Sequence, residues 1–104
     1  MLKKPITIKN LQNHIKTIDF AEEKNYEVVL KLFEEVGELS VEMRKAHVEG
    51  LNEHIKENIM YELYDVVHYV TYIANLYGID LEEAIIKKDL INEKRYQERS
   101  ENND

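Results

Sequence analysis

The chain has 104 residues, of which 43% are hydrophobic and 34% are charged, and its formal net charge is −7. This length predicts a single domain, and the composition is typical of a soluble, folded protein rather than a disordered or membrane-embedded one. The negative charge argues against a broad nucleic-acid-binding surface, which needs clustered Lys and Arg. The absence of Cys excludes disulfides and thiolate metal sites. Three Gly and one Pro provide too few turn signals for a β-rich fold.

Two helices are predicted in the first half of the chain. The first begins after Thr7, a suitable N-cap, and runs to about Glu23. Asn25 then offers a break or a cap before a second helix at about 27–48, and Gly50 can end that helix in the left-handed conformation. Their apolar faces consist of Leu11, Ile15 and Ile18 in the first helix and of Val29, Leu32, Phe33, Val36, Leu39 and Met43 in the second.

Two further helices are predicted at about 53–77 and about 81–97, the second of them capped by Asp80. Residues 66–79 include no Asp, Glu, Lys or Arg, so we expect this part of the third helix to be buried on nearly every side. The polar tail at 98–104 is expected to fray. Short links between four helices predict an all-α, four-helix bundle in one domain. Because so short a chain buries a modest core, we expect it to assemble as a homo-oligomer.

The strongest chemical signal is two pairs of carboxylates, Glu35 with Glu38 and Glu62 with Asp65. Residues three apart on a helix lie on one face, so each pair can converge, and the pairs can meet if the two helices are antiparallel. Four carboxylates form a hard oxygen site suited to Mg²⁺, or to Mn²⁺ in its place. An ordinary solvated face with ion pairs along the helix would give the same pattern for the first pair. The second pair is harder to explain in that way, because Asp65 is the last charge before the uncharged stretch and needs a cation or hydrogen bonds if it is buried.

A basic stripe on the fourth helix consists of Lys88, Asn92 and Arg95, at spacings of four and three. Lys offers a point charge, Arg a bidentate fork and Asn a neutral amide, which together suit a polyphosphate. The alternative is that the two cations form ordinary ion pairs with nearby acids. His68, three residues after Asp65, raises the further alternative of a di-iron site. That site would need a second Glu-x-x-His motif, and the chain has none, so a packed or hydrogen-bonded His68 is favoured.

Taken in order, these motifs resemble those of the MazG-like nucleotide pyrophosphohydrolases. Glu34-Glu35-x-x-Glu38 is followed after 23 residues by Glu62-x-x-Asp65. The surrounding segments at 33–39 and 78–84 are similar as well, and Lys88-x-x-x-Asn92-x-x-Arg95 resembles the closing motif of the family. The similarity extends over about residues 10–96, which is nearly all of the chain expected to fold.

The resemblance implies a four-helix fold and Mg²⁺-dependent hydrolysis of a (deoxy)nucleoside triphosphate to the monophosphate and pyrophosphate. It implies that a metal-activated water attacks the α-phosphorus, and that the protein is a homodimer or homotetramer. The implied metal ligands are Glu35, Glu38, Glu62 and Asp65. Glu34, with Glu35 and Glu38, belongs to the implied catalytic set and would lie behind the metal ligands or orient the water. The implied phosphate-binding residues are Lys88, Asn92 and Arg95, which could reach in from a partner subunit.

The chain departs from the family pattern at two places that bear on base selectivity. Ile91 stands where a second Lys often precedes the Asn, and Phe20 and Tyr26 stand where a Trp is common. Two other functions remain open from the sequence: a phosphoribosyl-ATP pyrophosphohydrolase on the same scaffold, and a non-catalytic helical dimerisation or regulatory module. No long apolar run or signal-type segment is found, so we expect a cytoplasmic protein without nucleic-acid or membrane partners.

Overall fold

A computed structural model of the protein describes residues 1–21 and 26–102. Within these ranges the chain forms four α-helices and no strand: α1 (Ile8–Ile18), α2 (Val28–Glu49), α3 (Glu53–Leu76) and α4 (Leu81–Asn102). The predicted all-α fold class and its four helices are confirmed. Over the same residues, no helix is both long and apolar enough to cross a membrane.

Side chains just before three of the helices cap them. Thr7 Oγ1 accepts a hydrogen bond from the Asn10 backbone N–H at 3.0 Å. Asn52 Oδ1 accepts one from the Ile55 N–H at 2.8 Å at the start of α3, and Asp80 Oδ1 accepts one from the Glu82 N–H at 3.0 Å in the first turn of α4. Each cap satisfies a backbone donor that has no partner inside the helix. The predicted starts of α1 and α4 are therefore confirmed.

Two predicted helix ends are wrong. α1 ends at Ile18 instead of near Glu23, because the backbone of Asp19 is extended and the residues that follow bond to α3 instead of continuing the helix. Glu23 and Asn25 lie outside the described residues. α4 continues to Asn102, beyond its predicted end at about residue 97. No Gly or Pro interrupts residues 81–102, and the Glu, Lys, Arg and Gln side chains there favour helix.

Helices α2 and α3 form an antiparallel pair. Asn58 of α3 donates a hydrogen bond to Glu42 of α2 at 3.3 Å. Further along the pair, Glu62 of α3 lies opposite Glu35 of α2, so higher numbers in one helix face lower numbers in the other. Helix α1 packs across α3 and closes the core. The core consists of Leu11, Ile15, Val28 and Tyr72, with Leu2, Tyr69, Ile73 and Leu76 packed against it.

A single side chain of α1 fastens the corner between α3 and α4. Gln12 Nε2 donates to the carbonyl oxygen of Ile79 at 2.8 Å and to the side-chain oxygen of Asn75 at 3.1 Å. Gln12 Oε1 accepts from the backbone N–H of Leu81 at 2.8 Å. Gly78 turns the corner with a positive φ of 63°, a conformation that costs glycine little. Gln12 therefore fixes the point from which α4 departs.

Helix α4 packs mainly against α1 and is otherwise exposed. One face of α3 is left exposed, so the expectation that α3 is buried on nearly every side is wrong for Val67 and Val70, which are 43% and 39% exposed. The radius of gyration is 17.2 Å, compared with about 13 Å for a compact domain of this length. The exposed apolar side chains of this α3 face are Met60, Leu63, Val67 and Val70.

Candidate metal and phosphate site

Three carboxylates meet at the junction of α2 and α3. One oxygen from each of Glu35, Glu62 and Asp65 lies within 4.8 Å of the others. Glu35 comes from α2, whereas Glu62 and Asp65 lie one turn apart on α3, as their spacing predicts. Oxygens that bind one Mg²⁺ at about 2.1 Å lie roughly 3 to 4 Å apart, so small side-chain rotations would bring these three to that separation.

Two oxygens of this cluster are buried without a hydrogen-bond partner among the described residues: Glu35 Oε2 and Glu62 Oε2. An unpaired buried carboxylate oxygen is costly, and a bound cation compensates for it. Asp65 is exposed, but an ordinary solvated face does not explain the two buried oxygens of Glu35 and Glu62. The residues present therefore fit a hard divalent cation, because the three atoms that converge are all carboxylate oxygens.

Crowding of negative charge perturbs the two half-buried acids. Desolvation, followed by the charges of Glu38 and Asp65, raises the pKa of Glu35 from 4.5 to about 7. Desolvation and the charge of Glu38 also raise the pKa of Glu62. Glu38 is thus a close neighbour, although its oxygens lie outside the group of three.

The other acidic candidate, Glu34, lies outside the cluster. Its side chain is 57% exposed, and the ammonium of Lys31 lies 3.5 Å from its carboxylate. A second ion pair on α2, between Glu42 and Lys45 at 3.1 Å, is also local to the helix. The acidic residues of α2 therefore divide into an ion-paired surface and a convergent group. Of these acids, Glu35 is the one whose oxygen converges with those of Glu62 and Asp65 and could share a cation with them.

The predicted phosphate-binding residues lie on α4, which does not pack along the junction of α2 and α3 in the same chain. Lys88 and Arg95 are exposed and Asn92 is half-buried. Neither cation forms an ion pair with an acidic side chain in the described part of the chain, which argues against the ion-pairing alternative. One subunit therefore presents the acidic and basic groups on separate surfaces.

His68 is hydrogen-bonded, as favoured from the sequence. Its Nε2 lies 2.8 Å from Asp19 Oδ2, and its ring packs edge-on against Tyr64 and Tyr69. No histidine joins the carboxylate cluster among the described residues, so nothing in its geometry supports a di-iron site. Sequence reasoning missed Asp19, because its partner His68 lies 49 residues away along the chain.

Comparison with known proteins places these features in a family. The domain described as "MazG nucleotide pyrophosphohydrolase domain" matches residues 23–101. Two crystal structures of iMazG from Vibrio DAT 722 are similar to the chain. The form called Ntag-iMazG is 37% identical with a TM-score of 0.72, covering 88% of this chain and 98% of that one. The form called Ctag-iMazG is 37% identical with a TM-score of 0.71, covering 85% and 99%.

No curated protein matched the chain. The match to the domain covers well over half of the sequence, and the two solved structures share its fold over nearly their whole length. The chain therefore belongs to the MazG family of nucleotide pyrophosphohydrolases, which are hydrolases acting on acid anhydrides.

Proposed function

We propose that this protein, as a single domain over residues 1–104, hydrolyses a (deoxy)nucleoside triphosphate to the monophosphate and pyrophosphate in a Mg²⁺-dependent reaction, with Mn²⁺ able to substitute. The proposal is carried by two buried oxygens, on Glu35 and Glu62, that have no hydrogen-bond partner in the described part of the chain. Oxygens of both residues converge with Asp65 within 4.8 Å. Family membership supplies the reaction class, and the donor set supplies the preference for a hard cation.

In this proposal Glu35, Glu38, Glu62 and Asp65 hold the cation. When bound, Mg²⁺ neutralises charge on the phosphate oxygens and lowers the pKa of water at the site. The carboxylates fix the position of the triphosphate relative to α2 and α3. Glu34, one residue from the cluster and open to solvent, is the candidate for orienting the attacking water. Water oxygen then bonds to the α-phosphorus, the α–β anhydride bond breaks, and pyrophosphate leaves.

The phosphate-binding residues of the proposal, Lys88, Asn92 and Arg95, come from a second copy of the chain. Among the described residues, neither Lys88 nor Arg95 forms an ion pair with the carboxylate cluster of its own chain. The accessible surface of the subunit is 8448 Å², whereas a compact protein of this mass exposes about 6,100 Å². The excess is of the size that stable homodimers bury. We therefore propose a homodimer or homotetramer whose sites combine two subunits.

The test is a screen for pyrophosphate release with Mg²⁺, covering the canonical triphosphates, several modified ones and phosphoribosyl-ATP. We expect turnover of at least one nucleoside triphosphate, and none in excess EDTA. Glu62→Gln should abolish turnover with the helical content unchanged. Glu57→Gln is the matched control and should retain activity, since Glu57 also lies on α3 but is exposed and accepts a hydrogen bond from Tyr61.

Each alternative has its own outcome in this screen. Release of pyrophosphate from phosphoribosyl-ATP alone would favour the alternative of a phosphoribosyl-ATP pyrophosphohydrolase. Absence of turnover, together with no Mg²⁺-dependent change in thermal unfolding, would refute the proposal and favour a non-catalytic helical module. Full activity of Glu62→Gln would refute the site even if the reaction class holds.

A further inference from the structure

The three residues after α1 are fastened to α3 at two points. Asp19 Oδ2 lies 2.8 Å from Nε2 of His68. Two residues later, the backbone N–H of Ala21 donates to the hydroxyl oxygen of Tyr72 at 2.8 Å, and that hydroxyl faces the Ala21 carbonyl oxygen at 3.4 Å. Tyr72 is only 4% exposed, so the second fastening point belongs to the core. We refer to residues 19–21 as the tethered segment.

Both fastening points lie on the face of α3 that carries Asp65. His68 and Tyr72 follow Asp65 by three and seven residues, which places them on one helical stripe, about 4.5 and 10.5 Å further along the axis. Tyr69, on the neighbouring stripe, lies near both the tethered segment and the carboxylate cluster. Burial and the charges of Asp19 and Glu35 raise the pKa of its hydroxyl. The tethered segment therefore runs beside the carboxylate cluster.

The position of Asp19 at the end of α1 explains why it needs a hydrogen-bond donor from another helix. A carboxylate at the C-terminal end of a helix faces the negative end of the helix dipole, which is unfavourable without a compensating donor. His68 supplies that donor from 49 residues away at a short distance, and hydrogen bonds to a charged group are the stronger class. The side chains of Asp19 and His68 are 43% and 21% exposed, so the contact sits at the edge of the site and not in the core.

The carboxylate cluster does not depend on the tether. Glu35, Glu62 and Asp65 are placed by the packing of α2 against α3. What the tether does hold is Phe20, whose ring is 39% exposed and lies 5.7 Å from the ammonium of Lys16. Releasing the tether would therefore move the ring of Phe20 relative to the cluster and leave the metal-binding residues in place.

We propose that Asp19 and His68 form a latch that positions the tethered segment for binding of the nucleotide, and that His68 is accordingly a positioning residue of the enzyme. The inference rests on the proposed function. It assigns the latch to substrate binding: loss of the latch raises KM and leaves kcat and Mg²⁺ affinity nearly unchanged, because the carboxylates stay in place.

The experiment compares steady-state kinetics of the full chain with Mg²⁺ and its best triphosphate. We expect His68→Leu and Asp19→Ala each to raise KM by about tenfold, with kcat within about twofold of wild type. The double variant should be no worse than either single one, because both remove the same contact. His68→Gln, whose amide can donate to Asp19, should restore most of the affinity.

Asn52→Ala is the matched control for a purely structural effect. It removes a cap at the far end of α3 and should lower the melting temperature while KM stays at the wild-type value. An unchanged KM in both His68→Leu and Asp19→Ala would overturn the latch, as would a loss confined to kcat. A wild-type protein that turns over no triphosphate would instead overturn the proposed function and the latch with it, so the two failures are distinguishable.

Discussion

Replacing Glu35 by Gln should make the metal-free protein more stable while removing its activity. The carboxylate of Glu35 is half-buried and faces Glu62, Glu38 and Asp65. A neutral amide of the same shape relieves the repulsion and the desolvation that the carboxylate experiences. The same change removes a proposed ligand, so stability and Mg²⁺ response should move in opposite directions.

The size of the effect follows from the raised pKa. For Glu35 the pKa rises from 4.5 to about 7. This means that ionising its carboxyl costs about 3 kcal/mol more in the folded protein than in the unfolded chain. Because the site is open on one side, water and salt reduce this figure, and we expect about 1 to 2 kcal/mol. Between these two pKa values the folded state binds more protons than the unfolded state, so the free energy of unfolding falls as the pH rises. Below pH 4.5 the ionisation of Glu35 does not lower the free energy of unfolding, and above pH 7 it lowers it by the full amount.

The assay is urea denaturation in EDTA at pH 4 and at pH 8, followed by circular dichroism. Glu35→Gln and wild type should unfold alike at the lower pH, and the variant should be the more stable at the higher one. Glu34→Gln is the matched control on the same helix, since it removes only an exposed charge paired with Lys31, and it should show no such pH-dependent gain. Adding Mg²⁺ should then stabilise wild type and not Glu35→Gln. A variant less stable than wild type at pH 8 in EDTA would refute the reasoning.

Three further predictions concern the core, the corner and the assembly. Tyr72→Phe should lower the free energy of unfolding by about 1 to 2 kcal/mol in urea denaturation, since the backbone N–H of Ala21 loses its partner; an unchanged value would show that water replaces the hydroxyl. Gln12→Ala should cost about 2 to 4 kcal/mol in the same measurement, because it removes three hydrogen bonds at the α3–α4 corner, and a loss below that of Tyr72→Phe would contradict this account. The third prediction mixes two inactive variants, Glu35→Gln and Arg95→Ala, which are unfolded together and refolded. If each site combines two copies of the chain, about a quarter of the wild-type rate of pyrophosphate release should return. No recovery would place Arg95 in the site of its own subunit.

Local chemistry made much of the fold predictable. Thr7 and Asp80 cap the helices that follow them through contacts within three residues, so their effect can be read directly from neighbouring positions. The same holds for the convergence of Glu62 and Asp65 on α3, which needs only the helical period. The proximity of Glu35 required one more assumption, the antiparallel pairing of α2 and α3, which a link of a few residues favours.

The features that could not be predicted depend on contacts between distant parts of the chain. α1 stops at Ile18 because Asp19 and Ala21 bond to side chains of α3 about 50 residues away, and no local pattern encodes those partners. Val67 belongs to an uncharged stretch whose composition predicts burial, yet it is 43% exposed. Where a helix travels after a turn is set by tertiary contacts, in this case those of Gln12.

Because α4 is fixed to the rest of the chain at the corner held by Gln12, a small tilt there would move the far end of the helix over a large distance. Arg95 follows Leu81 by fourteen residues, which places it about 21 Å from the pivot along the helix axis. A tilt of about 10° at the pivot would swing the guanidinium by roughly 4 Å, more than the length of a hydrogen bond. Gln12 is uncharged and is not one of the proposed ligands, yet it sets the direction in which α4 carries Arg95. Small changes at this corner would therefore move the guanidinium without altering a charged residue.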